Sequence, residues 1–207
     1  MTNTDYTAIV FLADRSGSMT TIASDIVGGV KTLLKNQTEL PGKCTVDVVL
    51  FDHEYEETHH LADPQDVNFV LEPRGMTALY DAAGTKINTF GKALSEMSEE
   101  DRPSKVLFVI ASDGLDNRSR EFTAYSLGQL ISKQRDQYNW DFVYLGTNQD
   151  AVTTAKGLNI DPKSALTFVP SATGVQASLG SLNAYTASYR SAGAAAFSDK
   201  DRSAAVN

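Results

Sequence analysis

The sequence predicts an α/β fold: a doubly wound, mostly parallel sheet with one antiparallel edge strand and helices on both faces. Two observations support this prediction. Apolar runs without polar alternation recur along the chain, as strands buried on both faces require. Segments with the 3.6-residue spacing of amphipathic helices lie between these runs.

The predicted elements alternate in chain order. Buried strands are predicted at residues 7–13, 46–51, 106–111 and 141–146, and helices at residues 22–34, 79–94 and 122–131. The acidic segment 53–61 follows the second strand closely, so we expect it to form the antiparallel edge strand. Beyond residue 150 we expect a short helix at 151–157, a strand at 165–169 and an amphipathic helix at 175–189.

The length and composition of the chain limit its domain organisation and the kinds of partner that it can bind. The chain has 207 residues, of which 42% are apolar, and we expect a single domain over residues 1–190. Residues 191–207 are rich in Ala and Ser, and we expect them to form a flexible tail. The formal net charge is -8 without a run of Lys or Arg, which argues against binding to duplex nucleic acid.

The sequence favours a cytoplasmic location. Cys44 is the single cysteine, so no internal disulfide is possible, and its apolar surroundings predict a structural thiol. The first residues lack the basic region of a signal peptide. No apolar run approaches the roughly 20 residues of a membrane span, so we expect no membrane partner.

Polar side chains directly follow the first predicted strand. Asp14, Ser16 and Ser18 occupy alternate positions, and Gly17 permits a tight turn between the two serines. Ligands of doubly wound sheets gather beyond the carboxyl ends of the strands, and a carboxylate with two hydroxyls suits a hard cation. Asp and Ser are also favoured helix N-caps, so this segment alone leaves a capping role open.

Two further segments place oxygen donors at the same edge of the sheet. Thr77 lies just ahead of the second predicted helix, and Asp113 ends the third buried strand. Either residue alone would also fit a cap or a turn. Together the five donors form an oxygen-only set that suits Mg²⁺ or Mn²⁺ rather than Zn²⁺, namely Asp14, Ser16, Ser18, Thr77 and Asp113.

These motifs resemble the von Willebrand factor A (vWA) domains that carry a metal-ion-dependent adhesion site (MIDAS). The Asp-x-Ser-x-Ser motif is intact at residues 14–18, the threonine element matches at Thr77 and the Asp-Gly element matches at Asp113. The resemblance covers about residues 5–190. Met76 departs from the pattern, since the family often has a second glycine there. The residues around the motifs look more like those of stand-alone bacterial or viral members of the family.

The resemblance implies a binding module and not an enzyme. In the family the two serines contact the metal directly, whereas the threonine and the Asp-Gly aspartate exchange between direct and water-bridged positions. A cation held mainly by neutral hydroxyls remains a strong Lewis acid. We therefore expect a protein partner, bound through an Asp or Glu side chain that completes the metal's octahedron, and a role as an adaptor.

Two other functions stay open from the sequence. A metal-dependent phosphohydrolase would place a second carboxylate two residues after Asp14, where this chain has Ser16, and the sequence has no Gly-x-x-x-x-Gly-Lys phosphate loop. A scaffold protein with a purely structural metal is the other alternative. The His- and Glu-rich segment 53–61 lacks a zinc-protease His pair, and we expect it to be a solvated edge that blocks sheet-to-sheet pairing.

Overall fold

The computed structural model describes residues 3–147 and 151–207. Its strands are β1 (Asn3–Asp14), β2 (Lys43–Phe51), β3 (Tyr55–Ala62), β4 (Pro103–Ser112), β5 (Asp141–Thr147) and β6 (Ala165–Phe168). Its helices are α1 (Ala23–Glu39), α2 (Leu79–Glu96), α3 (Ala124–Tyr138), α4 (Ala151–Gly157), α5 (Ala172–Ala192) and α6 (Asp199–Val206). The predicted strands and helices are therefore found in the predicted order.

The six strands form one sheet in the order β3-β2-β1-β4-β5-β6. β1 pairs in parallel with β2 on one side and with β4 on the other. The chain thus winds outward from β1 in both directions, which makes the carboxyl ends of β1 and β4 the place where the strand order reverses. The predicted doubly wound, mostly parallel sheet is confirmed.

The antiparallel edge strand is confirmed as well. β3 pairs with β2 after a tight reversal in which Phe51 lies opposite Tyr55. The pairing register shifts twice along this ladder, and Leu61 has a positive φ of 44°. Such irregularities re-aim side chains. Two side chains of β3 contact α2: Glu57 pairs with Lys86, and the ring of His60 lies 6.3 Å from that of Phe90.

Alternate side chains of β1 supply two separate apolar cores. Ile9, Phe11 and Ala13 belong to the core under α1 and α5. Ala8, Val10 and Leu12 belong to the core under α2 and α3. Because successive side chains of a strand point to opposite faces, an unbroken apolar run fills both layers at once.

The last residues differ from the sequence-based expectation. The boundary at residue 190 falls inside α5, and residues 191–207 include the helix α6. Phe197 stacks on Tyr185 with ring centroids 4.9 Å apart, and Ala205 is completely buried. Arg202 donates from Nη1 to the Ala165 carbonyl at 2.6 Å. Within α6 itself the buried residue is the small Ala205, so a search for large apolar residues does not detect this helix.

Among the described residues, no helix combines the length and apolarity needed to cross a bilayer. Cys44 is partly buried beside the core under α1, and burial raises the pKa of its thiol to about 11. At neutral pH the thiol therefore stays protonated, as the sequence-based expectation of a structural cysteine requires.

Candidate metal site

Asp14 ends β1 with a carboxylate that is completely buried. Its Oδ1 accepts the Ser16 backbone N–H at 2.7 Å, and its Oδ2 accepts the Ser112 hydroxyl at 2.6 Å. Burial raises the pKa of Asp14 to about 6, although both hydrogen bonds oppose that rise. The sheet therefore holds a carboxylate in a place where a nearby cation would strongly favour its ionised form.

The hydroxyls of Ser16 and Ser18 converge on the end of β4. The two Oγ atoms lie 3.0 Å apart. Ser18 donates to Asp113 Oδ1 at 2.8 Å, and Ser16 donates to the same oxygen at 3.5 Å. Burial also raises the pKa of Asp113, which is 3% exposed. Two motif segments that are 95 residues apart in sequence thus meet at one point.

Thr77 lies beside the same cluster. A Cβ added to Gly114 would lie 3.9 Å from Thr77 Oγ1, so the hydroxyl faces the segment that follows Asp113. The Thr77 backbone is bound on both sides, since its N–H donates to Asn117 Oδ1 at 3.0 Å and its carbonyl accepts the N–H groups of Asn117 and Arg118. The threonine is therefore fixed against the loop after β4.

The loops after β1 and before α2 are joined through their backbones. Arg74 N–H donates to the Arg15 carbonyl at 2.6 Å, and Gly17 N–H donates to the Gly75 carbonyl at 3.3 Å. Gly75 has a φ of +72°, a backbone conformation in which a larger residue would be strained, and a Cβ there would lie 2.4 Å from His53 Nδ1. These bonds hold Ser16 and Thr77 at neighbouring positions.

Charged side chains reinforce that junction. Asp52 is completely buried, and its Oδ2 accepts Nε–H donors from both Arg15 and Arg74 at 2.9 Å. Burial alone would raise the pKa of Asp52, but the bonds from Glu54 N–H, Arg74 and Arg15 together hold it below its usual value. Sequence reasoning missed this group, because Arg15 occupies a variable position of the motif and Asp52 lies outside it.

The loop after β4 also fixes the start of α2. Asp116 accepts the Tyr80 N–H at 3.0 Å, and the Ser119 hydroxyl accepts the Asp81 N–H at 2.9 Å. Asp81 in turn accepts three backbone N–H groups from residues 120–122. Two backbone donors of the first turn of α2, those of Tyr80 and Asp81, are thus satisfied by the loop that follows Asp113. All three site loops therefore form one hydrogen-bonded assembly.

The donor set fits a hard divalent cation. The structure places all five predicted residues at one edge of the sheet: four are linked by hydrogen bonds, and Thr77 lies beside them. Two carboxylates and three hydroxyls offer oxygen only, which suits Mg²⁺ or Mn²⁺. The charge of a divalent cation would offset the two buried carboxylates, Asp14 and Asp113.

A second polar cluster lies between β3 and α2, away from these loops. Donor atoms of Asp47, Glu57 and His60 lie within 4.8 Å of one another, an arrangement that also suits a metal. The ammonium group of Lys86, however, forms ion pairs with both carboxylates there. The Lys86 ammonium group therefore already lies where a metal ion would bind in this cluster. We predicted that segment 53–61 is a solvated edge of the sheet. This holds only in part, because His60 Nδ1 lies 2.7 Å from the buried Asp47.

Comparisons with known proteins support the fold. The sequence matches no family model, and no curated protein matches it. Among solved structures, proximal thread matrix protein 1 from the mussel byssus, with a zinc-occupied MIDAS motif, aligns with a TM-score of 0.65 and 15% identity. That alignment covers 88% of this chain and 46% of the mussel chain. This chain therefore spans about half the length of the mussel protein.

Two bacterial structures give the same result. The vWF domain of the type V pili tip protein Mfa5 from Porphyromonas gingivalis aligns with a TM-score of 0.63 and 9% identity, over 88% of this chain and 95% of that one. A von Willebrand factor type A structure from Catenulispora acidiphila aligns with a TM-score of 0.58 and 14% identity, over 88% and 43%. At such low identity the likeness establishes the fold: this chain has the architecture of vWA domains.

Proposed function

We propose that this chain is a vWA domain of the stand-alone type whose MIDAS binds Mg²⁺ or Mn²⁺ and, through the metal, an Asp or Glu side chain of a partner protein. The observation that supports it best is the meeting of Ser16 and Ser18 with Asp113 beside the buried Asp14. The mussel structure with zinc at its MIDAS motif supports a divalent cation at the corresponding site of this fold.

In this proposal each residue has its own task. The hydroxyls of Ser16 and Ser18 would hold the metal, together with the hydroxyl of Thr77 when a partner is bound. Asp14 and Asp113 supply the negative charge that retains the metal. The cation supplies an electrophilic position for a partner's carboxylate. When a partner is bound, only the three neutral hydroxyls of the chain would contact the metal directly, while Asp14 and Asp113 would act through water. A partner's carboxylate is therefore the ligand that the open position would prefer.

The same residues favour binding over catalysis. A phosphohydrolase would need a carboxylate where Ser16 lies, and Ser16 is 2% exposed and bonded within the cluster. We therefore propose a module that is not an enzyme, acts in the cytoplasm and does not bind nucleic acid. An assay with a generic phosphate ester and Mg²⁺ tests this part: turnover that Asp14→Asn abolishes would contradict it.

Calorimetric titration tests the metal site itself. Wild type is expected to bind Mg²⁺ and Mn²⁺, Ser16→Ala to lose most of that binding, and Ser24→Ala, an exposed serine on α1, to behave like wild type. At a metal concentration about 100 times Kd the stabilisation is roughly 2.7 kcal/mol, which a thermal shift resolves. Equal metal affinity in wild type and Ser16→Ala would contradict the proposal.

A second experiment tests partner capture. The full chain is used as bait in an extract of its native host, with Mg²⁺ or with EDTA. We expect a protein that is retained by wild type in Mg²⁺ and released by EDTA or by Ser16→Ala. Retention that is unaffected by both would instead favour a scaffold in which the metal is purely structural.

A further inference from the structure

A groove of about 560 Å³ lies between α2 and α3, at the amino ends of β4 and β5. None of the five predicted metal ligands lines it, since those residues lie at or beyond the carboxyl ends of the strands. Small-molecule sites have volumes of roughly 300–1,000 Å³. The groove is therefore separate from the candidate metal site and large enough for a small molecule.

The charged side chains that line this groove are all cationic. Lys92, Arg102 and Lys133 lie there, and the described residues contribute no Asp or Glu to its lining. The acid that pairs with one of them is Glu96, which is 3.9 Å from Lys92, and both side chains of that pair are largely exposed. Such a pair adds little. In a chain of net charge -8, this groove is a place that attracts anions.

Arg102 is a partly buried guanidinium whose hydrogen bonds go to uncharged groups. Its Nη2 donates to the carbonyls of Met97 at 2.9 Å and Ser95 at 3.4 Å. Its Nε is buried and has no acceptor, and within the described part of the chain Arg102 forms no ion pair. A cation that is partly removed from water is stabilised when an anion lies beside it. Arg102 therefore favours a negatively charged occupant.

Two nearly buried donors of the groove are unused. Gln134 is 8% exposed, Trp140 is 5% exposed, and both line the groove. Within residues 3–147 and 151–207, neither the side-chain amide of Gln134 nor the indole N–H of Trp140 forms a hydrogen bond. Polar side chains that are buried to this extent normally have a partner. A ligand with hydrogen-bond acceptors would supply one.

Gly91 leaves both of these side chains open to the groove. It lies inside α2, where glycine costs about 0.5–1 kcal/mol relative to alanine. A Cβ at this position would lie 3.8 Å from Gln134 Nε2 and 3.9 Å from Trp140 Cη2, which is ordinary van der Waals contact. Close packing therefore does not require glycine here. Its effect is to leave the amide and the edge of the indole ring uncovered.

We propose that this groove binds a small organic phosphate with a nitrogen-containing ring, of the kind that a nucleoside monophosphate represents. The phosphate would pair with Arg102, Lys92 and Lys133, because a dianion satisfies several cations better than a single carboxylate does. The ring would lie beside Gly91. Ring nitrogens and oxygens would accept the unused donors of Gln134 and Trp140, and the flat edge of the ring would contact the indole.

Titration of the full chain with adenosine and cytidine monophosphates tests this site. The titrations are done in EDTA, so that no metal can hold the phosphate elsewhere. Trp140 is the sole tryptophan, so its fluorescence reports events in the groove, and calorimetry gives Kd. At least one monophosphate is expected to change the Trp140 emission and to bind about tenfold more tightly than its nucleoside and than inorganic phosphate.

Three variants assign the binding to the groove. Lys133→Gln removes an exposed cation and is expected to weaken binding of the monophosphate about threefold to tenfold. Gly91→Leu places a side chain over Gln134 and Trp140 and is expected to weaken it by about tenfold or more. Lys31→Gln, an exposed lysine on α1 at the other face of the sheet, is the matched control and should bind like wild type. Thermal unfolding checks that each variant folds.

Several outcomes would overturn this inference. Monophosphates that do not bind, or that bind no more tightly than their nucleosides, would refute the phosphate site. Inorganic phosphate that binds as tightly as the monophosphates would refute the part assigned to the ring. Equal weakening by Lys31→Gln and Lys133→Gln, or unchanged binding in Gly91→Leu, would place the ligand outside the groove. Ser16→Ala should bind the monophosphate like wild type, so that this site and the metal site are tested separately.

Discussion

Arg15 and Asp52 form an ion pair that is almost completely removed from water, with Nε and Oδ2 2.9 Å apart and side chains 7% and 0% exposed. Arg15 lies between two predicted metal ligands, and Asp52 follows the end of β2. Arg74 donates to the same carboxylate oxygen, and the Asp52 carbonyl accepts the Ala78 N–H. One buried carboxylate thus connects the loop of Ser16 with the loop of Thr77.

The first prediction concerns this carboxylate. Asp52→Asn is expected to lower the free energy of unfolding by about 3 kcal/mol, because it leaves the buried Arg15 with only the half-exposed Glu56 as a counter-charge. It should also weaken Mg²⁺ binding, since the Thr77 loop loses its anchor. Urea unfolding and calorimetry measure the two effects. Glu54→Gln is the control: it breaks an ion pair whose side chains are 52% and 58% exposed, and it should cost less than about 1 kcal/mol.

A role of Asp52 in positioning the Thr77 loop would be contradicted if Asp52→Asn lost stability but bound Mg²⁺ as tightly as wild type. In that case the ion pair would serve the fold alone. Equal losses of stability in Asp52→Asn and Glu54→Gln would contradict the buried pair as the cause.

The sequence was sufficient to predict the sheet and to predict that the five oxygen-bearing residues of the candidate metal site lie at one edge of it. Unbroken apolar runs such as residues 106–111 identify strands buried on both faces, and parallel strands bring their carboxyl ends to one edge. Ser112 and Asp52 could not be found this way. Each gains its importance from a partner that only the fold brings near, namely Asp14 and Arg15. Helix α6 was missed for a similar reason, since Ala205 packs closely without being large.

The second prediction is a pH dependence that comes from Asp14. Burial raises the pKa of Asp14 from 3.8 to about 6, so the metal-free folded chain keeps this proton at pH values where the unfolded chain has lost it. The protonated Asp14 carboxyl therefore contributes to the stability of the folded state. This contribution is fully present below about pH 3.8 and is lost as the pH rises through about 6. Two pKa units correspond to an upper bound of about 3 kcal/mol.

Comparison with Asp14→Asn isolates this effect from that of other carboxylates. In EDTA, the free energy of unfolding of wild type should fall relative to that of Asp14→Asn across the same pH range, as followed by urea unfolding. Above about pH 6 the variant is then expected to be the more stable protein when no metal is bound. Parallel pH curves for the two proteins would show that Asp14 is not protonated in the metal-free fold.

The third prediction uses two adjacent glycines of α1 as a matched pair. Gly29 packs on α5, where an added Cβ would lie 2.2 Å from Leu179 Cδ1, whereas a Cβ on the exposed Gly28 would meet nothing within 4 Å. Gly28→Ala is expected to stabilise the chain by about 0.5–1 kcal/mol through helix propensity. Gly29→Ala should destabilise it by about 1–3 kcal/mol through overpacking, as measured by chemical unfolding. Stabilisation of both variants would contradict the close approach of the two helices.

The last prediction concerns the cluster between β3 and α2. Lys86 and Asp47 form an ion pair in which each side chain is 1% exposed, and the same ammonium also reaches Glu57 at 3.1 Å. Lys86→Met should lower the free energy of unfolding by about 3–5 kcal/mol, because Asp47 is then buried without a cation. Lys92→Met, on the same helix but 77% exposed, should change it by less than about 1 kcal/mol.

A double-mutant cycle separates the ion pair from simple loss of packing. Asp47→Asn removes the charge that Lys86 neutralises but keeps an oxygen for the Leu61 N–H, which donates to Asp47 Oδ1 at 2.7 Å. The double variant Asp47→Asn, Lys86→Met is therefore expected to lose less stability than the sum of the two single changes, by at least about 1 kcal/mol. Additive losses would mean that the two charges do not interact and that the cluster does not depend on Lys86 as its cation.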